Sequence, residues 1–277
     1  QRRWEAKVEN FNRLTLGENF MTNHKSVFFL LAIFVFLSAS QLFASKGKIA
    51  LVVSNVEQFA GPHGKAHGAG VWSEELVVPQ RIFENAGFEV VITSPTGGSF
   101  IFDKNSYDSN FVQDKQLLAE VIAYKKHNAA AMEKTAPLAD IDVDDFVAIF
   151  VAGGHGVMFD VATEPLMATL TKEFLDKGKV VAAVCHGPCF LAKAYVDGKA
   201  VIKGYKVTGF SNEEEKQAQM TELMPFSLED GLNEATGGLY SRGAPWGANV
   251  VVDRKLVTGQ NPASSHAAAE AVTKLLK

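Results

Sequence analysis

The chain has 277 residues, 47% of them hydrophobic and 21% charged, with a formal net charge of -4. That balance describes an ordinary globular protein able to bury a substantial core, and one domain of about 230 residues is the simplest organisation. It argues against nucleic acid as a partner, because phosphate binding requires clustered Lys and Arg.

The chain begins at Gln1, and residues 1–20 mix Arg, Glu and Asn without a sustained apolar period. Met21 is therefore the expected start, with residues 1–20 a non-native or upstream extension. His24 and Lys25 precede an unbroken apolar run from Val27 to Leu37, and Ser38, Ala39 and Ser40 follow it ahead of Lys46-Gly47-Lys48. Residues 21–45 thus have the order of a signal peptide, and export to a periplasmic or secreted location is expected. The competing reading is an uncleaved anchor over residues 27–44, although the uninterrupted apolar core is short for a membrane span. The folded domain is expected over residues 46–277.

Lys48 to Ser54 is a β-branched apolar run that reads as a buried parallel strand. A Gly- and His-rich loop covers Gly61 to Gly70. Glu74 to Asn85 has helical spacing, with Leu76, Ile82 and Phe83 on one face and Gly87 placed to end it. Phe88 to Thr93 is the next strand, and Ser94 to Tyr107 an irregular surface loop. A helical stretch over 114–133 leads to a strand at Phe146 to Ala152, which runs into Gly153-Gly154-His155-Gly156. Glu164 to Lys177 is helical, closed by Gly178, and Val180 to Val184 is the strand before Cys185. Strand and helix alternate, so the class is α/β, a mostly parallel sheet with helices on both faces. Reactive groups in such sheets gather at the carboxyl ends of the strands, and Glu75, Gly154 and Cys185 lie just beyond expected strand ends or on the helix that follows one.

The two cysteines are Cys185 and Cys189. Their i, i+4 spacing is wider than a good disulfide geometry allows, so no structural bridge is expected. Cys185 stands where a buried strand turns into a helix, followed by His186, Gly187 and Pro188. A thiol at such a nucleophile elbow meets the positive end of the helix, which is expected to lower its pKa. The competing reading is an inert buried thiol. The N–H of His186 and one from the Gly153-Gly154 turn could form an oxyanion hole. His63 and His67 form H-x-x-x-H, but with no third ligand in reach of the pattern a pocket rim is expected there rather than a metal site. Neither metal nor other cofactor is expected.

Five segments in order resemble the ThiJ/PfpI superfamily, within it the glyoxalase III and heat-inducible chaperone branch. They are Gly70 to Leu76 with Pro79, Ala152 to Gly156 with Phe159-Asp160, Ala182 to Pro188, Thr208 to Glu215, and Gly259 to Ser264. The resemblance covers residues 46–277 and implies a flavodoxin-like three-layer α/β/α sandwich carrying a cysteine nucleophile elbow. It also implies Cys185 as nucleophile, His186 as its partner, Glu75 as the acid facing the sulfur and Glu215 as the acid orienting the histidine. Glu74 and Glu214 are rivals one position away; neighbours on a helix point about 100° apart, so one of each pair is expected inside. His155 is expected to line the site, and Trp246 with Pro245 to wall the pocket. The implied activity is glutathione-independent conversion of a small aldehyde such as methylglyoxal to lactate, a lyase reaction, and the superfamily's members commonly form homodimers. Three alternatives stand beside it: a holdase chaperone, a redox sensor working through cysteine oxidation, and a cysteine peptidase or amidase. Against a glutamine amidotransferase, His266 and Glu270 lack that family's H-x-E spacing.

Overall fold

The computed structural model describes residues 45–61 and 64–277. The expectations for residues 1–20, for a signal peptide over 21–45 and for an anchor over 27–44 therefore fall outside the described residues, apart from Ser45, and so does His63. Among the described residues no helix is long and apolar enough to cross a membrane.

The strands form where the sequence runs apolar and β-branched. They are β1 (Lys48–Val52), β4 (Glu89–Ser94), β5 (Ala136–Pro137), β6 (Phe146–Val151), β7 (Val180–Val184), β10 (Val250–Asp253) and β11 (Leu256–Gly259), arranged β10-β11-β7-β6-β1-β4-β5. All neighbours are parallel except the β10-β11 hairpin at one edge. Without β5 and β10, the order along the sheet is the doubly wound one of flavodoxin-type folds. Two small hairpins lie outside the sheet: β2 (Gln58–Ala60) with β3 (Ala66–Gly68), and β8 (Tyr195–Val196) with β9 (Lys199–Ala200). The second strand of the first hairpin, β3, falls in the Gly61 to Gly70 segment expected to be loop, and β2 lies just ahead of it. A cross-strand stack of Phe59 on His67 and a stack of Phe59 on Phe159, from the turn after β6, hold the hairpin, contacts that composition alone does not signal.

The period of two in each central strand divides the core into two halves. Ala50, Val52, Ile149, Val151, Val181 and Ala183 face one way, onto α3 (Pro165–Asp176), α4 (Cys189–Lys193) and α6 (Leu228–Thr236). Ile49, Leu51, Ala148, Phe150, Ala182 and Val184 face the other, onto α1 (Ser73–Asn85) and α7 (Ser265–Leu275). The result is the expected three-layer sandwich. The remaining helices are α2 (Lys115–His127), which ends sooner than the expected 114–133 stretch, and α5 (Asn212–Gln217). Asn128 accounts for the break: it stops α2, and its carbonyl accepts from Met132 of a separate short turn, Ala129–Met132.

The chain leaves β1 toward β4 on one side and returns to β6 on the other. That reversal opens a crevice at the carboxyl ends of β1 and β6, with β7 alongside. The Gly153-Gly154 turn follows β6 and Cys185 follows β7, so the topology alone brings these two segments together.

Candidate active site

Val180 to Val184 is fully buried, and Cys185 follows it directly. Its φ is +60°, a left-handed conformation that a non-glycine residue rarely adopts and that marks a functional elbow. Two main-chain bonds fix the strained residue: its N–H donates to the carbonyl of Gly259 at 2.9 Å, and its carbonyl accepts from Phe210 at 2.9 Å. The following helix starts only at Cys189, after a turn whose Gly187 N–H donates to Val184 at 2.7 Å.

That placement corrects the expected source of thiol activation. Burial pushes the Cys185 thiol well up, and the Glu75 carboxyl adds to the rise, while the N–H groups of Gly154 and His186 pull the other way. A helix N-terminus four residues downstream is too far along the turn to dominate. Both cysteines are free, as expected. Cys189 is fully enclosed with its sulfur directed at the Val157 carbonyl, so it is the structural thiol of the pair.

Glu75 enters from the first turn of α1 and is fully buried. Its Oε2 accepts the N–H of Gly153 at 2.7 Å. Its other oxygen, Oε1, is buried without an aligned partner, although the carboxyl meets the Cys185 sulfur. Burial raises the Glu75 pKa well above the ordinary carboxylate value, while its hydrogen bonds with Cys185 and Gly153 pull the other way. Glu75 occupies the Gly153 N–H, and the N–H groups that approach the Cys185 sulfur are those of Gly154 and His186. Gly153 serves instead by its missing side chain: a Cβ there would lie 2.7 Å from Glu75 Oε2 and 2.8 Å from the His186 nitrogen.

His186 places Nδ1 3.4 Å from Cys185 Sγ and Nε2 2.7 Å from Glu215 Oε2. Cys185, His186 and Glu215 therefore form a continuous chain of contacts. Burial lowers the His186 pKa even though Glu215 opposes the shift. Burial alone would raise Glu215, but the charge of His186 and hydrogen bonds from His155 and His186 hold it well below the usual carboxylate range. His155 reaches the second oxygen, Oε1, at 3.1 Å. One carboxylate thus bridges two imidazoles whose ring centres are 4.4 Å apart. His155, His186 and Glu215 each offer one ligand atom within 4.8 Å of the others, so this trio is where a metal ion could be held among the described residues.

The rivalry between neighbouring acids has two different outcomes. Glu75 is inside and Glu74 half-buried, as expected of helical neighbours. Glu214 and Glu215 are both buried, against expectation. The reason is that Ser211 caps α5, and Glu214 at the third helical position folds back to accept the Ser211 N–H and hydroxyl in a capping box. Glu214 also accepts from the main chain of Trp246 and from the side chains of Gln260 and Asn261. It ties the Gly259 to Ser264 segment to α5, while Glu215 turns to the histidines.

Sequence reading assigned Phe210 no individual role. Its ring lies 4.3 Å from that of His186, and Trp246 meets its edge at 5.6 Å. Trp246 is 47% exposed, so it stands at the rim of the site rather than forming an inner wall. The available signal was the position of Phe210 within the Thr208 to Glu215 segment, ahead of the acid that holds the histidine. His67 packs on Phe59, outside the bonded chain of contacts.

The chain is similar in sequence and in fold to proteins already known. The chain is 32% identical over 248 residues to glutathione-independent glyoxalase hsp3101 of Schizosaccharomyces pombe, covering 84% of this chain and 97% of the relative. It is 30% identical to glyoxalase 3 of Candida albicans over 81% of this chain and 96% of the relative. The crystal structure of Candida albicans glyoxalase III superposes with a TM-score of 0.72 at 28% identity, covering 84% and 98% of the two chains. That of the Francisella tularensis rapid encystment protein REP24 gives 0.75 at 30% identity, covering 83% and 99%. Residues 67–275, which carry the elbow, both acids and both histidines, match the profile of the DJ-1/PfpI family, and the chain is a member of that family.

Proposed function

We propose that this protein is a glutathione-independent glyoxalase that converts methylglyoxal, or a closely similar 2-oxoaldehyde, to the 2-hydroxy acid. The observation that carries the reading is the unbroken contact chain from Glu75 through Cys185 and His186 to Glu215. Two Schizosaccharomyces pombe relatives named as glutathione-independent glyoxalases, which share nearly their full length with this chain, support it.

The chemistry follows from the positions of the groups. The Cys185 sulfur adds to the aldehyde carbon, and the N–H groups of Gly154 and His186 stabilise the oxygen as it gains charge. His186, held in orientation by Glu215, accepts the thiol proton. Glu75, kept protonated by burial, supplies a proton to the substrate oxygen, and its conjugate base then takes the hydrogen from the former aldehyde carbon. The resulting enediol is reprotonated at the neighbouring carbon, giving a thioester of lactate. Water cleaves that thioester, so the sum is methylglyoxal plus water giving lactate. No external oxidant is consumed, because one carbon is oxidised as its neighbour is reduced. Addition of water across the substrate places the reaction among the hydro-lyases, read in the hydrating direction.

The deciding measurement is lactate formation from methylglyoxal without glutathione, wild type against Cys185→Ser. Turnover by the wild type that the variant lacks supports the reading, and no turnover by folded wild type overturns it. Export rests on the sequence of residues 21–45 alone. Finding the protein outside the cytoplasm with its N-terminus beyond residue 40 tests that separate proposal.

A further inference from the structure

We propose that His155, His186 and Glu215 form a binding site for a divalent cation of the zinc class, and that occupancy of this site switches off the histidine that serves Cys185. The donors are two imidazole nitrogens and one carboxylate, a set that suits zinc and leaves a position open for water. Their ligand atoms lie within 4.8 Å of one another.

The cluster is assembled before any ion arrives. His155 is carried on the turn after β6, His186 on the elbow after β7, and Glu215 on the first turn of α5, so three separate elements converge. Ligands about 2.1 Å from a tetrahedral ion are about 3.4 Å apart. The His155–Glu215 contact of 3.1 Å is to Oε1 and the His186–Glu215 contact of 2.7 Å is to Oε2, so one carboxylate already spans both imidazoles, and donor atoms no more than 4.8 Å apart close onto an ion by small side-chain rotations. Access comes from one side: the side chains of His155 and Glu215 are 16% and 10% exposed, that of His186 1%.

His186 faces the cluster with Nε2 and Cys185 with Nδ1. An ion on Nε2 therefore lies across the ring from the sulfur, and the thiol is not in the donor set. Such an ion takes the carboxylate oxygen that orients the imidazole and puts a positive charge beside it, so His186 can no longer accept a proton. Zinc binding itself does not depend on the reaction; the inhibitory consequence rests on the glyoxalase reading.

The test uses the full chain stripped of metal, with zinc chloride as the probe in a competition titration against a chromophoric chelator. The wild type is expected to bind one equivalent, and His155→Ala and Glu215→Gln to bind at least about tenfold more weakly. His266→Ala removes a surface histidine paired with Glu270 and is expected to change nothing. Glu215→Gln is nearly isosteric and carries the test should His155→Ala fail to fold. Cobalt is expected to bind at the same site without a near-ultraviolet sulfur-to-cobalt charge-transfer band. No competitive binding by the wild type, undiminished binding in either folded ligand variant, or a strong sulfur-to-cobalt band overturns the site. Zinc is also expected to inhibit turnover reversibly, with chelator restoring it. Absence of turnover in the metal-free wild type overturns the proposed function instead, while the binding titration still reads the site.

Discussion

Glu75 gives one carboxylate oxygen to the N–H of Gly153 at 2.7 Å and directs the rest of its carboxyl at the sulfur of Cys185. A fully buried acid held in this way is set to keep its proton at a pH where an exposed carboxylate has lost it. The cost to the fold has a definite pH signature. Below the ordinary value of 4.5 the carboxyl is protonated whether the chain is folded or not. Above it, the unfolded chain releases the proton and the folded chain retains it, so stability falls as pH rises, by at most about 1.4 kcal/mol per pH unit. Glu75→Gln should remove this slope. The expected result is a variant that gains stability on the wild type between pH 5 and pH 7 while losing turnover, measured by urea midpoints across that range. Parallel pH profiles for the two proteins contradict the assignment of a buried, protonated Glu75.

Glu214 and Glu215 are adjacent and both buried, yet their removal should have different consequences. Glu214→Ala strands donors from Ser211, Trp246, Gln260 and Asn261, and is expected to cost more than about 3 kcal/mol in urea unfolding. Glu215→Gln keeps the shape but removes the charge facing two imidazoles, and should lower kcat by about 100-fold or more with the protein still folded. The depressed Glu215 pKa also sets a sign. Its stabilisation is complete above 4.5 and is lost as pH falls through the folded value, so any stability gap between wild type and Glu215→Gln should close in acid. A gap that widens below pH 4.5 contradicts this.

The two thiols should differ toward oxidants. Cys185 is 4% exposed and meets His186, whereas Cys189 is sealed behind it with its sulfur on the Val157 carbonyl. Mild peroxide is expected to inactivate the enzyme with one modified cysteine, at Cys185, and mass spectrometry of inactivated samples should find Cys189 intact. Inactivation with Cys185 unmodified is the contrary result.

How much of this site could be read from the chain depended on the distance over which each residue's role is decided. Val180 to Val184 and Cys185 were legible because a buried strand and the turn after it are local patterns. A mostly parallel sheet was implied by the alternation of strands and helices, whereas the pairing of β6 with β1 and β7 is a structural finding. What escaped was set by contacts between distant segments. Burial, not a helix dipole, dominates the thiol, because the helix after the elbow starts later than the local pattern implies. Glu214 looked interchangeable with Glu215 because the Gln260 and Asn261 amides that receive it lie far along the chain. Phe210 belonged to a matching segment, but its contact with His186 depends on how that segment packs against the elbow.

Gly154 supplies a last test, because two of its properties act on the site through different routes. Its φ of +98° is open to glycine, and a Cβ there would come within 2.3 Å of the Gly70 carbonyl and 2.8 Å of the Trp72 nitrogen. Backbone atoms cannot yield as a flexible side chain can, so Gly154→Ala must displace the turn that aims an N–H at Cys185. Gly178 has a comparable φ of +69° at the end of α3 but open space around it. Gly178→Ala therefore measures the conformational penalty alone, expected at about 1 kcal/mol. Gly154→Ala should cost at least about 2 kcal/mol, since a clash is added to the same penalty. In the fraction that folds, loss of an oxyanion donor should lower kcat by about 100-fold with a smaller change in KM. If Gly154→Ala is no less stable than Gly178→Ala and retains full kcat, then neither the close approach to Gly70 nor the donor role of the Gly154 N–H can stand.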